Sequence, residues 1–229
     1  SHAKRDGAET AQRIVETIGR VNEGLGPRCF FDANSLVPGE DYPAQFEAAI
    51  GSGSLLAVVT DAYHARPWCR WELLTAKRLG RPIVIADLTA GRIERTYPYA
   101  GNVPTLCVAG DENGPDAGLS DAEVERLTLA LLTEALRVEL WQAQAAEQLA
   151  GRTVRLLPRP PELVDLVAGR AQPAADAAAH ADADANAPAD AVAPAWIVYP
   201  DPPLSTEETE LLQRATPHQL LLSLSQARA

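Results

Sequence analysis

The amino-acid sequence predicts an α/β fold, an open parallel sheet with helices on both faces, followed by a small C-terminal appendage of α+β type. Three observations support this prediction. The apolar runs at 54–60 and 81–88 show no polar alternation, which is typical of parallel strands buried on both faces. Stretches whose apolar residues recur at helical spacing alternate with these runs. From residue 153 onward, proline-rich turns and an Ala/Asp/Pro-rich tract replace this alternation.

The first part of the chain alternates helices with short strands. The spacing of apolar residues predicts helices over 8–21, 42–50 and 68–79, and strands over 28–32, 54–60, 81–88 and 105–109. An irregular stretch, 89–104, precedes the last of these strands. The longest helical pattern covers 119–149, where Ser120 is a predicted N-cap and Glu123 completes a capping box.

The C-terminal part contains a small internal echo, in which a strand leads into a P-x-P-P turn and a helix start. The first copy runs from Leu156 to Pro161 and the second from Val198 to Pro203. If the echo is structural, we expect the two strands to pair in a small sheet; chance similarity is the alternative. A last helix is predicted from Thr216, carrying several leucines. The predicted divisions are a domain at 1–150, a strand–helix extension at 151–171, a flexible Ala/Asp/Pro-rich linker at 172–195 and a strand–helix–helix segment at 196–229.

Charge and cysteine content exclude several classes of protein. The net charge of −11 argues against nucleic-acid binding, because phosphate contacts need a basic surface. Three widely separated cysteines, without a C-x-x-C pair or Cys/His cluster, predict neither a metal site nor a disulfide framework. This favours a cytoplasmic protein. No apolar run is long enough for a membrane helix, so no membrane partner is expected.

Four short stretches, in this order and spacing, resemble a Toll/interleukin-1 receptor (TIR) domain of the bacterial type. They are Ser1-His2-Ala3-x-x-Asp6, Phe30-Phe31-Asp32, Leu36-Val37-Pro38-Gly39-Glu40 and Trp68-Cys69-x-x-Glu72. The resemblance implies a flavodoxin-like, five-stranded sheet. In that fold a central first strand precedes Ser1. We therefore expect that native residues before Ser1 are missing from the sequence, or that a strand from elsewhere fills this position.

Three loops are expected to meet at the carboxyl ends of the strands, where open α/β sheets bind their ligands. They are residues 1–6, 32–41 and 63–68. Trp68 and Glu72 are four residues apart and so share a helix face. Two plainer interpretations remain open at this point. Glu72 could be an acid of the first helical turn that the macrodipole favours, and Trp68 could be a core or interface residue.

The resemblance implies that the domain cleaves NAD⁺ at the nicotinamide–ribose bond. Glu72 would be the catalytic residue, since an anion near the ribose stabilises an oxocarbenium-like transition state. Substrate-binding roles would fall to His2, Phe31, Asp32, Ser35 and Trp68. The loop 33–43 would act as a lid and an assembly surface. NAD⁺ would be a substrate, with no bound cofactor or metal.

Two functions from different classes follow. The first is an NAD⁺ glycohydrolase, with possible cyclase activity, that is activated by TIR–TIR assembly into oligomers or filaments in bacterial antiphage defence. The second is a non-catalytic TIR scaffold or adaptor that oligomerises or recruits partners. Residues 151–229 could dock a partner protein. Cys69 is not expected to be a nucleophile, because the sequence offers it no base.

Overall fold

The computed structural model describes residues 1–21, 29–30, 42–90, 100–108, 119–167 and 196–229. The chain divides into two compact units, Ser1–Leu140 and Trp141–Ala229. This division falls inside a long helix, before the boundary that the sequence predicted at residue 150. None of the helices in the described ranges is long and apolar enough to cross a membrane.

The first unit is built on a parallel sheet whose strands are β1 (Leu55–Val59), β2 (Ile83–Asp87) and β3 (Thr105–Cys107). The strand order is β1-β2-β3, and the register aligns Val58 with Ala86 and Ala86 with Leu106. The apolar sequences of β1 and of β2 up to Ala86 suit strands that are covered on both faces. The predicted parallel sheet is therefore confirmed.

The start of the chain lies along the other edge of β1. His2 forms a parallel bridge with Val58, whose N–H donates to the carbonyl oxygen of Ser1 at 2.9 Å. Val59, the next residue, accepts from the N–H of Leu88 on the side of β2. Because successive residues of a strand direct their hydrogen bonds to opposite edges, Ser1 and His2 flank β1 on the edge away from β2.

Helices cover both faces of this sheet, as predicted. They are α1 (Ala8–Val21), α2 (Tyr42–Ser52), α3 (Pro67–Arg78) and α4 (Asp121–Gln148). On one face, Ile14 of α1 and Leu127 of α4 share a core with Val58. On the other face, Leu73 of α3 packs with Ile50 of α2. The predicted capping box of α4 is present, since the N–H of Glu123 donates to Ser120 Oγ at 3.3 Å and its carboxylate accepts from Ser120 N.

The second unit is a smaller parallel sheet alternating with short helices. In chain order its elements are β4 (Val154–Leu156), α5 (Leu163–Val167), β5 (Trp196–Tyr199), α6 (Thr206–Gln213), β6 (Leu220–Ser223) and α7 (Leu224–Arg228). Strand β5 is central, and Leu156 of β4 aligns with Val198 of β5. These are the first residues of the two echo copies. The predicted pairing of the echo strands is confirmed.

The helix predicted from Thr216 is wrong. Residues Leu220–Ser223 form β6, in register with β5 from Trp196↔Leu220 to Tyr199↔Ser223. The helix begins only at Leu224, where Ser223 and Gln226 form a capping box. Leucine is a good helix former, but this preference is worth only tenths of a kcal/mol per residue. Pairing with β5 and the burial of Leu221 outweigh it. The segment at 196–229 is therefore strand–helix–strand–helix.

Three predicted features lie wholly or mostly outside the described residues. They are the strand at 28–32, the loop at 33–43 and the linker at 172–195. Within the predicted strand, the two described residues, Cys29 and Phe30, are not part of a strand.

Candidate functional site

The first loop of the candidate site is held by Asp6. Its Oδ1 accepts a hydrogen bond from the Thr60 hydroxyl at 2.7 Å, and its Oδ2 accepts one from the N–H of Ala62 at 2.9 Å. Thr60 directly follows β1. One carboxylate therefore ties the loop after Ser1-His2-Ala3 to the carboxyl end of β1, where parallel sheets bind ligands.

The second loop contains a short 3₁₀ turn, Tyr63–Ala65, anchored by a fully buried tyrosine. The Tyr63 hydroxyl shares a 2.8 Å hydrogen bond with Ser1 Oγ and donates to the carbonyl oxygen of Cys69 at 3.4 Å. The Cys69 thiol in turn donates to the carbonyl oxygen of His2 at 3.3 Å. These bonds join the start of the chain, the 3₁₀ turn and the first turn of α3.

Glu72 lies in the second turn of α3, next to this junction. Its side chain is buried, with the residue 5% exposed, and within the described part of the chain its Oε2 has no hydrogen-bond partner. The first turn of α3 contains no acid. The macrodipole acts mainly within the first turn, so it does not account for Glu72. The interpretation of Glu72 as a first-turn acid is therefore wrong.

Cys69 and Glu72 are three residues apart on α3 and therefore lie on the same side of the helix. Burial, and after it the charge of Glu72, raises the pKa of the Cys69 thiol to about 11. At neutral pH this thiol is protonated and serves as a hydrogen-bond donor to His2. Only a thiolate is a competent nucleophile. The prediction that Cys69 is not one agrees with this environment.

An aromatic row runs from Phe30 through Phe46 of α2 to Trp68 and Trp71 of α3. Ring centroids lie 5.3 Å apart for Phe30 and Phe46, 5.4 Å for Phe46 and Trp68, and 4.8 Å for the stacked pair Trp68 and Trp71. Trp68 remains 41% exposed. One face of the Trp68 ring stacks on Trp71. The exposed part of the ring can receive a flat ligand.

Three of the six predicted site residues belong to the described part of the chain. His2, Trp68 and Glu72 lie around the first two turns of α3: His2 through its contact with Cys69, and Trp68 one turn before Glu72. The other three predicted residues, Phe31, Asp32 and Ser35, fall outside the described residues. Trp68 and Glu72 share a helix face but differ in burial. Glu72 is buried, whereas Trp68 is partly exposed.

An open cleft of about 770 Å³ lies between the two loops. Its lining consists of Arg5, Asp6, Asp61, Ala62, Ala65 and Arg66 and does not include Glu72. The sequence analysis placed both loops at the ligand-binding edge but singled out neither arginine. The sequence could have indicated both arginines, because Arg5 and Arg66 each lie on one of the two loops assigned to this edge of the sheet.

Metal chemistry finds no support in this part of the molecule. Across the described ranges, no group of three or more His, Cys, Asp or Glu residues could hold a metal ion. Cys29, Cys69 and Cys107 are free thiols. The side chains available here are the buried Glu72 carboxylate, the partly exposed Trp68 indole, and Arg5 and Arg66 near the carboxyl end of β1.

Comparison with known proteins identifies the first unit. No curated protein and no solved structure matches the chain. The model of the TIR domain family matches residues 1–105, which contain every piece of the site described above. Residues 1–105 of the chain therefore belong to the TIR domain family.

Proposed function

We propose that this protein is an NAD⁺ nucleosidase that cleaves the nicotinamide–ribose bond, with Glu72 as the catalytic residue. The observation that carries the proposal is the buried Glu72 carboxylate, whose Oε2 has no partner among the described residues. Leaving a buried polar atom unpaired costs about 1–3 kcal/mol, and more for a charged one. In a purely structural role, no interaction would offset this free-energy cost. At a site that binds a cationic ligand, the contact with the ligand offsets it.

The chemistry suits a single carboxylate. The nicotinamide of NAD⁺ leaves as a neutral molecule when the C–N bond breaks, because it takes both bonding electrons and was cationic before. No general acid is needed. The ribose is left as an oxocarbenium ion, which the negative charge of Glu72 stabilises. Water then adds to the ribose carbon and loses a proton, giving ADP-ribose; attack by an atom of the same ADP-ribose gives a cyclic product.

Other residues would position the substrate. The exposed part of Trp68 offers a surface for the nicotinamide ring or the ribose. The backbone carbonyl of His2 accepts a hydrogen bond from Cys69, which is three residues before Glu72 on α3. Substrate-binding roles for Phe31, Asp32 and Ser35, which lie outside the described residues, stay part of the proposal. Residues 1–150 form the proposed catalytic domain, and antiphage defence in the cytoplasm is its proposed setting.

The direct test is nicotinamide release from NAD⁺ by the full chain, measured by chromatography over a range of protein concentrations. We expect Glu72→Gln to lower the rate at least about a hundredfold, since it removes the stabilising charge. Glu16→Gln is the matched control, because Glu16 is exposed on α1, where its carboxylate accepts a hydrogen bond from the Gln12 side chain. A Glu72→Gln variant with the wild-type rate would refute the role of Glu72.

Self-association is the second part of the proposal. Leu129, Leu132, Leu136 and Leu140 fall within an arc of about 80° on α4, at 100° per residue, and each is between 46% and 68% exposed. An exposed apolar row of this kind is unusual on a monomer. TIR domains commonly self-associate, so we assign the row to contact with a second copy of this chain.

Leu136→Glu tests this assignment. We expect it to shift sedimentation of the full chain toward the monomer and to lower nicotinamide release per molecule. Glu125→Gln, a change at an exposed position on the same helix, should leave sedimentation unchanged. An unchanged sedimentation profile for Leu136→Glu would remove this row from the assembly.

The leucine row also supports the second candidate function, a scaffold without catalysis. A scaffold needs association but no free carboxylate. If the wild-type chain assembles and releases no nicotinamide at any concentration, the scaffold function replaces the enzymatic one. Docking of a partner protein by residues 151–229 stays a prediction.

A further inference from the structure

Tyr63 is a fully buried tyrosine whose hydroxyl bonds two separate segments of the first unit. Its side chain belongs to one hydrophobic cluster with Ala57 and Val59 of β1. Its hydroxyl lies 2.8 Å from Ser1 Oγ and donates to the carbonyl oxygen of Cys69 at 3.4 Å. A phenol has a single proton to donate, so Ser1 Oγ is the donor in the bond to Tyr63. The two bonds therefore run in one direction, from the start of the chain through Tyr63 to α3.

Cys69 is held through both its backbone and its side chain. Its carbonyl oxygen accepts from Tyr63, and its thiol donates to the carbonyl oxygen of His2 at 3.3 Å. Cys69 is the third residue of α3. In an α-helix the carbonyl oxygen of residue 69 also accepts from the N–H four residues later, and a second lone pair is left for the tyrosine. The first turn of α3 is therefore attached to neighbouring segments by two bonds that helix formation does not itself supply.

The placement of Glu72 depends on this turn. Glu72 lies three residues after Cys69, so its side chain leaves the helix on the same side. Its Oε2 receives no hydrogen bond from the described residues, so the position of this oxygen is set by packing and by the backbone that carries it. A catalytic group that is misplaced by 1 Å loses about a hundredfold in rate. A residue that fixes the first turn of α3 therefore affects the rate without touching the substrate.

We infer that Tyr63 is a positioning residue, whose hydroxyl fixes the first turn of α3 and with it the Glu72 carboxylate; this inference rests on the proposed function. Tyr63 acts through Cys69, because a side chain with no exposed surface does not contact a bound ligand. Removing one buried hydroxyl costs only a modest part of the stability of a domain. The expected signature is a loss of rate that the loss of stability does not explain.

The test is steady-state nicotinamide release by the full chain carrying Tyr63→Phe, which removes the hydroxyl and keeps the ring. We expect kcat to fall about tenfold, as a carboxylate displaced by about half an ångström would give. KM should change by less than about twofold, because Tyr63 does not bind the substrate. All rates are compared at one protein concentration. Sedimentation of the variant at that concentration should equal that of the wild type, so that lost assembly does not account for a lower rate.

Tyr199→Phe is the matched control. Tyr199 is also fully buried, and its hydroxyl accepts a hydrogen bond from the N–H of Leu204 at 3.0 Å in the second unit. The same atom is thus removed from an equally buried ring, and the melting temperature of each variant should fall by about 2–4 °C. Only Tyr63→Phe should lower kcat. If the two variants have the same kcat, Tyr63 contributes to the fold alone and the positioning role is overturned.

Hydrogen exchange gives a second measurement that does not depend on activity. The amides of residues 70–73 bond to carbonyl oxygens in the first turn of α3, as Arg70 does to Arg66 at 3.2 Å. They should exchange faster in Tyr63→Phe and at the wild-type rate in Tyr199→Phe. Unchanged exchange in Tyr63→Phe would overturn the inference, whatever the activity of the wild type.

The two measurements separate this inference from the proposed function. Faster exchange at residues 70–73 in Tyr63→Phe, with no nicotinamide release by the wild type, would support the attachment of α3 by Tyr63 and refute the enzymatic function. Nicotinamide release that depends on Glu72 and is equally fast in Tyr63→Phe would support the enzymatic function and overturn the positioning role.

Discussion

The polar groups that follow the strands of the two parallel sheets differ in their hydrogen bonding, most clearly at Asp201 in the second sheet and Glu72 in the first. After β5 and β6, Asp201 accepts from the Ser225 hydroxyl at 2.5 Å, and Ser205 and Ser223 each form a capping box. After β1, Glu72 keeps an oxygen without a partner in the described chain, and Arg66 faces an open cleft. Both ends begin from three parallel strands of similar length.

This contrast shows that the scaffold alone does not make a site. Buried polar groups in folded proteins are almost always hydrogen-bonded, and the exceptions call for an explanation. In the second unit the turn residues use their hydrogen bonds to fix helix starts, so those groups contribute to stability. In the first unit Glu72 Oε2 has no partner among the described residues, which costs stability; under the proposed function the substrate offsets this cost.

Ile197→Ala is expected to have the largest effect on stability. Ile197 is fully buried on the central strand β5, between β4 and β6, and its truncation should cost about 3 kcal/mol through lost apolar contacts and a cavity. Hydrogen exchange should quicken in β4, β5 and β6 and stay slow in β1 and β2. Val58→Ala, on β1, should give the reverse pattern. Equal acceleration in both sheets would show that the two cores are not separate.

Glu72→Met should change stability in the opposite direction. Methionine is close to glutamate in size and places no charge in the buried position, so the free energy of unfolding should rise by about 2 kcal/mol. Denaturant unfolding at neutral pH gives this number. A clear loss of stability would mean that Glu72 stabilises the fold, as the hydrogen-bonded turn residues of the second unit do.

Asp201→Asn should have the smallest effect, below about 1 kcal/mol, because the carboxylate is exposed and its bonds are screened by water. Hydrogen bonds from Ser225 and then Ser223 hold the pKa of Asp201 below its ordinary value of 3.8. A lowered pKa means that the stabilisation is present above pH 3.8 and is lost as the pH falls below it. The difference between wild type and variant should follow this course in urea unfolding. A difference that grows at low pH would contradict it.

The sequence predicts much of the fold because its strongest patterns depend on neighbouring residues. The apolar run at 54–60 and the capping box at Ser120 are local signals, and both correspond to observed elements. The echo around Leu156 and Val198 correctly predicts a pairing across a long separation. Strand β6 was missed because Leu220–Leu222 suits a helix or a strand, and only the neighbouring β5 decides between them.

Only part of the site could be predicted from the sequence, again because sequence patterns report on neighbouring residues. The positions of Glu72 and Trp68 on one helix follow from their spacing in sequence. The bonds from Asp6 to Thr60 and Ala62 join residues more than fifty positions apart, and so does the approach of Arg5 to Arg66. Local spacing carries no information about such pairs. The burial of Glu72 on the same helix as an exposed Trp68 also depends on tertiary packing, which local spacing does not encode.

The parallel pairing of β4 with β5 has a consequence for how the second unit holds together when its chain is cut. The two strands are neighbours in the sheet, and Arg152 Nη1 also donates to the carbonyl oxygen of Ala227 at 2.6 Å. Because the two strands belong to one chain, the covalent connection between them raises the effective concentration of one half of the sheet for the other. If this connection were cut, the strand pairing and the bond from Arg152 would favour reassociation of the two fragments.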